Sequence, residues 1–204
     1  MKILAGTILF WVLGSSAYAQ QAVLEYAYSG PFIENAEHSQ FFKEFTRLLA
    51  TDLEQAAELA YESSNQLLAS DEHATSPALA GQILSNAAVA DAAQGRYQRA
   101  SEGFDRALRL IEAEYQVFSP KLMNVLLASG ITAMQLGKLK DAEDKFRWAQ
   151  HIQHRHSGVF SIEQTKSIDW LTRLHLIGNQ LGDADLTQKF GLMLANYNYE
   201  FGSD

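Results

Sequence analysis

The chain has 204 residues, of which 47% are hydrophobic and 20% charged, a balance typical of a globular protein rather than of a disordered or collagen-like one. Its 24 acidic and 16 basic side chains give a formal net charge of -8, so its overall field repels nucleic acid and anionic lipid. Cysteine is absent, which excludes disulfide bonds, a thiol nucleophile and a cysteine-based zinc site.

The first residues have the pattern of a secretory signal peptide. Lys2 precedes an uncharged apolar run over residues 3–13, and the Ala-Tyr-Ala sequence ending at Ala19 has the small residues of a cleavage site. We predict that residues 1–19 are removed and that the mature protein is exported, periplasmic or secreted, with no stable membrane insertion. The alternative is an uncleaved anchor, but a spanning helix needs about 20 predominantly apolar residues and the second half of this stretch contains serines and glutamines.

A repeat of about 42 residues organises the chain from residue 38 to residue 204. Four landmarks recur at a constant displacement of 42, namely Gly95, Ala100, Phe104 and Ala107 in one copy and Gly137, Ala142, Phe146 and Ala149 in the next. An upstream copy starts near Asp52. A weaker fourth copy, with one residue lost, is assigned to Gly182, Leu186 and Phe190. Repeats at such a period indicate stacked supersecondary units.

Each copy contains two helical patterns separated by a turn. In the second copy we predict helices over residues 77–94 and 97–114, because apolar residues recur there at helical spacing. Ser76 and Ser119 are expected to cap first helices, since each precedes a proline that suits the first helical turn. No alternation typical of strands appears, so the sequence predicts an all-α protein.

The order of glycine, alanine, phenylalanine and alanine resembles a tetratricopeptide repeat (TPR), and the long period is similar to that of kinesin-light-chain-type repeats. The resemblance covers residues 38–195. It implies a right-handed solenoid of about four helical hairpins, because one hairpin cannot bury its apolar face without neighbours. In such proteins the first helices of successive hairpins line a concave groove that holds an extended peptide or a partner helix.

The resemblance places eight side chains of this chain in the groove, which are Gln82, Ser85, Asn86 and Val89 from the second copy and Asn124, Leu127, Ile131 and Gln135 from the third. Asn86 matches the asparagine that grips peptide backbone in kinesin-light-chain-type repeats, and an amide both donates and accepts hydrogen bonds. Ala128 stands at the equivalent position of the third copy. The alternative for these residues is packing on a neighbouring helix rather than on a ligand.

Aromatic residues flank the repeats. The N-terminal segment, residues 20–37, contains Tyr26, Tyr28, Pro31 and Phe32, and the C-terminus contains Tyr197, Tyr199 and Phe201. We expect both groups to cap the open ends of the helical stack, with an exposed docking site for another protein as the alternative.

No motif for catalysis or nucleotide binding is present, since the chain lacks a P-loop, Gly-x-Ser-x-Gly and His-Glu-x-x-His. We therefore predict no enzymatic activity and no cofactor. His151, His154 and His156 form the one histidine cluster, but Arg155 within it repels a cation, and basic residues suit a helix C-terminus. We predict no metal ligands there.

The preferred interpretation is an exported adaptor or scaffold that binds a protein or peptide partner through its concave face. One alternative is a self-associating structural component of an envelope assembly that pairs through its terminal aromatic residues. The other is a metal-binding protein that uses residues 151–156.

Overall fold

The computed structural model describes residues 16–33, 36–69 and 76–201, and the regular secondary structure in these ranges is helical, without strands. The predicted all-α class is confirmed. From residue 36 onward the described residues form eight α-helices: α1 (Ala36–Thr51), α2 (Leu53–Ala69), α3 (Pro77–Ala93), α4 (Tyr97–Glu112), α5 (Met123–Gln135), α6 (Leu139–Ser157), α7 (Thr165–Ile177) and α8 (Leu181–Phe201).

The chain forms two compact units, Met1–Glu114 and Tyr115–Asp204. Each unit contains two helical hairpins, so the four predicted hairpins are present. The predicted boundaries after residues 19 and 37 stay predictions, and residues 1–15 of the predicted signal peptide lie outside the described residues. In the described part of the chain no helix is both long and apolar enough to cross a membrane.

In the first unit, α3 is the central helix. It packs along α2 on one side and along α4 on the other. Every residue from Ala78 to Ala92 is buried, which agrees with the small and apolar composition of this helix on all its faces. Its polar residues are therefore buried too and need partners within the protein.

Serine caps recur at the start of the first helices. The Ser76 hydroxyl accepts a hydrogen bond from Leu79 N–H at 3.2 Å, and that of Ser119 accepts one from Lys121 N–H at 3.3 Å, so both predicted caps are confirmed. Ser161 accepts a hydrogen bond from Glu163 N–H at 3.1 Å and is a third cap of the same kind. After Ser119 and Ser161 a short 3₁₀ turn, Pro120–Leu122 and Ile162–Gln164 respectively, precedes the α-helix.

The turns inside the hairpins correct the assignment of the fourth copy. Gly95 (φ 77°), Gly137 (φ 72°) and Asn179 (φ 57°) adopt left-handed backbone conformations at a constant spacing of 42 residues. The fourth turn is therefore made by Asn179 and not near Gly182, which lies inside α8. Asparagine is, after glycine, the residue that tolerates this conformation best.

The same spacing explains which residues of α8 are buried. Ala184 and Leu194, the two buried residues of this helix, lie 42 positions after Ala142 and Ile152 of α6, which are also buried. Gly191 takes the place of Ala149, and a Cβ atom there would lie 3.2 Å from Ile168 of α7. The repeat thus extends through the second unit without loss of a residue.

Candidate functional site

A short segment of the chain crosses α3. Residues 16–23 are helical and lead through a 3₁₀ turn, Leu24–Tyr26, into the N-terminal arm, which we define as residues 27–32. Ala19 is buried in this region, and the Ser16 hydroxyl lies 3.2 Å from the hydroxyl of Tyr97. Cleavage after Ala19 stays a prediction.

Asn86 holds the arm at its first aromatic residue. The Tyr28 N–H donates to Asn86 Oδ1 at 2.7 Å, and Asn86 Nδ2 donates to the Tyr28 carbonyl oxygen at 2.9 Å. The side-chain amide therefore satisfies both backbone groups of a single residue, as a neighbouring strand does in a β-sheet. Both hydrogen bonds are buried and join residues 58 positions apart.

Gln82, one turn earlier on α3, holds the arm further along. Its Nε2 donates to the Gly30 carbonyl oxygen at 2.5 Å, and its Oε1 accepts from the Phe32 N–H at 3.0 Å. The arm thus runs antiparallel to α3, since Asn86 binds residue 28 and Gln82 binds residues 30 and 32. Together the two amides satisfy four backbone groups of the arm.

The side chains of the arm enter the hydrophobic core of the first unit. Tyr28 is 8% exposed and meets Phe32 edge to face, with 5.2 Å between ring centroids. Both rings belong to a cluster that contains Phe42 and Phe45 of α1 and Ile83 of α3. The arm therefore lies against the first helices of both hairpins of the unit, the helices that the sequence analysis assigned to a concave groove.

The four α3 candidates have different environments. Asn86 and Gln82 bind the arm, whereas Val89 and Ser85 are buried without a hydrogen bond to it. The Ser85 hydroxyl is fully buried and has no hydrogen-bond partner among the described residues. The function of these residues in partner binding stays a prediction, because the face that would receive a partner is occupied by the chain itself.

The four α5 candidates belong to the second unit. Leu127 (2% exposed) and Ile131 (1%) are buried, while Asn124 and Gln135 are half-buried. Asn124 is the 42-residue equivalent of Gln82, but the equivalent of Asn86 is Ala128, which is also buried. The helix therefore lacks the pair of amides that α3 presents, and the function of its four candidates stays a prediction.

A buried carboxylate that the sequence analysis did not identify joins the two hairpins of the first unit. Asp91 of α3 is 0% exposed; it accepts a hydrogen bond from the Tyr61 hydroxyl at 2.6 Å and pairs with Arg96 Nε at 2.7 Å and Arg99 Nε at 3.3 Å. Arg96 also pairs with Glu54. Burial, and then the hydrogen bond to Asp91, raise the pKa of Tyr61 above its usual range. These contacts are consistent with a structural network.

The histidine-rich end of α6 surrounds Phe118. The His151 ring lies 5.3 Å from the Phe118 ring, and the Arg155 guanidinium lies 4.4 Å above it. His156 Nε2 is 3.1 Å from the Phe118 carbonyl oxygen. Among residues 16–33, 36–69 and 76–201 no group of three or more potential metal ligands is found.

The C-terminal aromatic residues lie partly in solvent. Tyr197 stacks on Phe160 with 4.6 Å between centroids and contacts Phe201 at 5.1 Å. Tyr199 nevertheless remains 88% exposed and Phe201 66% exposed. These residues therefore cover the end of the second unit only in part.

No protein-family model and no curated protein matches the chain. Its structure is similar to the crystal structure of BtubC (BKLC) from P. vanneervenii, with a TM-score of 0.69 and 19% sequence identity over 95% of this chain and 77% of that chain. That protein is a bacterial kinesin-light-chain-like repeat protein of the TPR type. The similarity confirms the TPR-type helical-repeat fold that the sequence predicts.

Proposed function

We propose that this chain is an exported, non-catalytic scaffold that binds an extended segment of a partner protein on its first unit. The binding surface is the part of α1 and α3 that the arm covers, which we call the α1/α3 face. One observation carries the proposal, which is the pairing of Asn86 and Gln82 with four backbone groups of the arm. Export rests on the signal-peptide pattern that ends at Ala19.

The chemistry of the two amides supports binding of peptides in general. Each amide offers an acceptor and a donor to the peptide backbone, so it binds without regard to the side chains that the peptide carries. Backbone pairing supplies affinity, and the pockets on either side supply specificity, as in other modes of peptide recognition by added strands. TPR-like folds generally mediate protein interactions, which agrees with this function.

The proposal is tested by capture of the partner in the native host. The chain is tagged at its C-terminus, intact cells are crosslinked, and co-purifying proteins are identified. We expect an enriched envelope protein that is lost when Asn86→Leu and Gln82→Leu are combined, because the apolar side chains keep approximate size but bind no backbone.

A matched control is available in the second unit. Gln164 is 1% exposed and its amide binds the carbonyl oxygens of Gly158 and Val159. The Gln164→Leu variant removes a buried amide outside the proposed site and should retain the partner. Retention of the partner by the folded Asn86→Leu/Gln82→Leu variant would contradict the proposal.

Self-association is a second candidate function, favoured by the exposed aromatic residues of α8. The last helix of the second unit, with exposed Tyr199 and Phe201, presents an apolar surface to other molecules. The occupant in this case is a second copy of the chain, as in an envelope assembly built from one component.

A further inference from the structure

We propose that the ligand of the α1/α3 face is an extended peptide with aromatic side chains four positions apart, which takes the place of residues 27–32. The inference rests on the proposed function and deepens it, because the arm shows which chemical features the face accepts. These features fall into backbone and side-chain requirements.

The backbone requirement follows from the four hydrogen bonds. The ligand needs a free N–H at the positions of Tyr28 and Phe32, since Asn86 and Gln82 accept from these two groups. Proline is therefore excluded at both positions. It is accepted at the position of Pro31, because Gln82 binds the groups on either side of it, the Gly30 carbonyl and the Phe32 N–H.

The side-chain requirement follows from the burial of the arm. Tyr28 and Phe32 pack with Phe42, Phe45 and Ile83, so positions one and five of the ligand enter an apolar cluster. Edge-to-face aromatic contacts such as that between Tyr28 and Phe32 add to the burial of apolar area. Ser29, the second position, is exposed and free to vary.

A peptide from another molecule has to compete with the arm, which is covalently tethered next to the α1/α3 face. The arm ends at Phe32 and α1 begins at Ala36, so the arm stays close to its site even when it detaches. A short tether gives an effective concentration in the millimolar range, which an external peptide has to exceed. Binding should therefore be weak in the parent chain and become strong when the hold on the arm is weakened.

The test uses a fluorescent peptide with the sequence of residues 26–33, Tyr-Ala-Tyr-Ser-Gly-Pro-Phe-Ile. Its anisotropy is titrated with the full chain and with full-length Phe32→Ser and Tyr28→Ser/Phe32→Ser variants, whose folding is checked by circular dichroism. We expect at least tenfold tighter binding to a folded arm variant than to the parent. Equal affinity, or no binding to either, would overturn the proposal.

Chemical variants of the peptide distinguish recognition of its backbone from nonspecific hydrophobic binding. N-methylation at the position of Phe32 removes the donor to Gln82 and should weaken binding about tenfold. N-methylation at the position of Gly30, where Gln82 uses the carbonyl oxygen, is the matched control and should have a much smaller effect. If both modified peptides bind as well as the parent peptide, the amides do not recognise the backbone.

The two proposals fail in different ways. If the peptide does not bind but a cellular partner still depends on Asn86 and Gln82, the ligand class is wrong and the proposed function stands. If the peptide binds to the arm variants but no cellular partner depends on these amides, the ligand chemistry stands and the scaffold function is wrong.

Discussion

Gly130 of α5 lets a large aromatic ring approach the helix backbone. A Cβ atom at this position would lie within 2.8 Å of the Phe146 ring, which is fully buried in α6 and stacks on Trp170 at 6.0 Å between centroids. Since the ring is enclosed, it cannot move aside without disturbing other core residues. The absence of a side chain is therefore required for packing and not for a turn.

We predict that Gly130→Ala lowers the free energy of unfolding by roughly 1–3 kcal/mol, the usual cost of overpacking a core. The measurement is denaturant unfolding followed by circular dichroism. Gly182→Ala is the control, because a Cβ atom there meets nothing within 4 Å and alanine favours a helix by up to about 1 kcal/mol. Equal stability of the Gly130→Ala variant and the parent would show that Phe146 has room to adjust.

At the scale of elements, the hairpin turns are set by one residue each. Gly95, Gly137 and Asn179 occupy the left-handed region at the same place in three hairpins, and each is followed within two residues by the second helix. A residue with a Cβ atom and no hydrogen-bonding group is strained in this conformation. The turn between α7 and α8 is the one that depends on asparagine.

We expect Asn179→Ala to lower the free energy of unfolding by about 1 kcal/mol, while Asn179→Gly leaves it unchanged or raises it slightly. Thermal and denaturant unfolding of both variants provide the measurement. The glycine variant is the internal control, because it removes the same side chain without the backbone strain. A destabilisation of equal size in both variants would mean that the asparagine side chain matters and the backbone conformation does not.

These turns also show how much of the fold could be predicted from sequence. Regular spacing and a serine cap predicted both helices of the second copy within about two residues of their observed ends. The fourth copy was misplaced because Asn179 replaces the glycine and Gln188 replaces the phenylalanine at the position of Phe146. Those two differences remove the glycine and phenylalanine that identify the repeat most clearly, although the buried positions still recur at a spacing of 42 residues.

The arm could not be predicted by the same means. Its hydrogen bonds join residues 50–58 positions apart, and the segment itself has no helical or strand periodicity. Asn86 was selected through the family resemblance, but its partner, the backbone of Tyr28, left no pattern in the sequence. Asp91 was missed for a related reason, since its partners come from α2 and from the following turn and helix.

At the scale of the whole molecule, α8 is the described helix with the most large exposed apolar residues. Only Ala184 and Leu194 of this 21-residue helix are buried. Its large exposed apolar residues are Leu181, Leu186, Leu192, Met193, Tyr197, Tyr199 and Phe201, with exposed fractions from 41% to 88%. Exposed apolar surface on this scale is typical of interaction sites, which is why self-association is the second candidate function.

If a second molecule of the same protein covers α8, the molar mass measured by light scattering should rise with protein concentration. Tyr199→Ser/Phe201→Ser should weaken this association at least several-fold, because it removes two exposed rings while leaving Ala184 and Leu194 in place. Leu68→Ser is the control, since Leu68 is also exposed (43%) but lies on α2. A constant monomer mass over the accessible concentration range would exclude this function for α8.

The amide pair on α3 limits the length of peptide that the α1/α3 face can recognise. One turn before Gln82 and one turn after Asn86 the helix has Ala78 and Ala90, which have no polar side-chain group to continue the pairing. Under the proposed function, recognition would therefore end after five residues: the side chains of the first and fifth would be selected by shape, and the third would be bound through its backbone carbonyl alone. A code this short occurs in many proteins, so the face would discriminate among them mainly by which segments are already unfolded and extended.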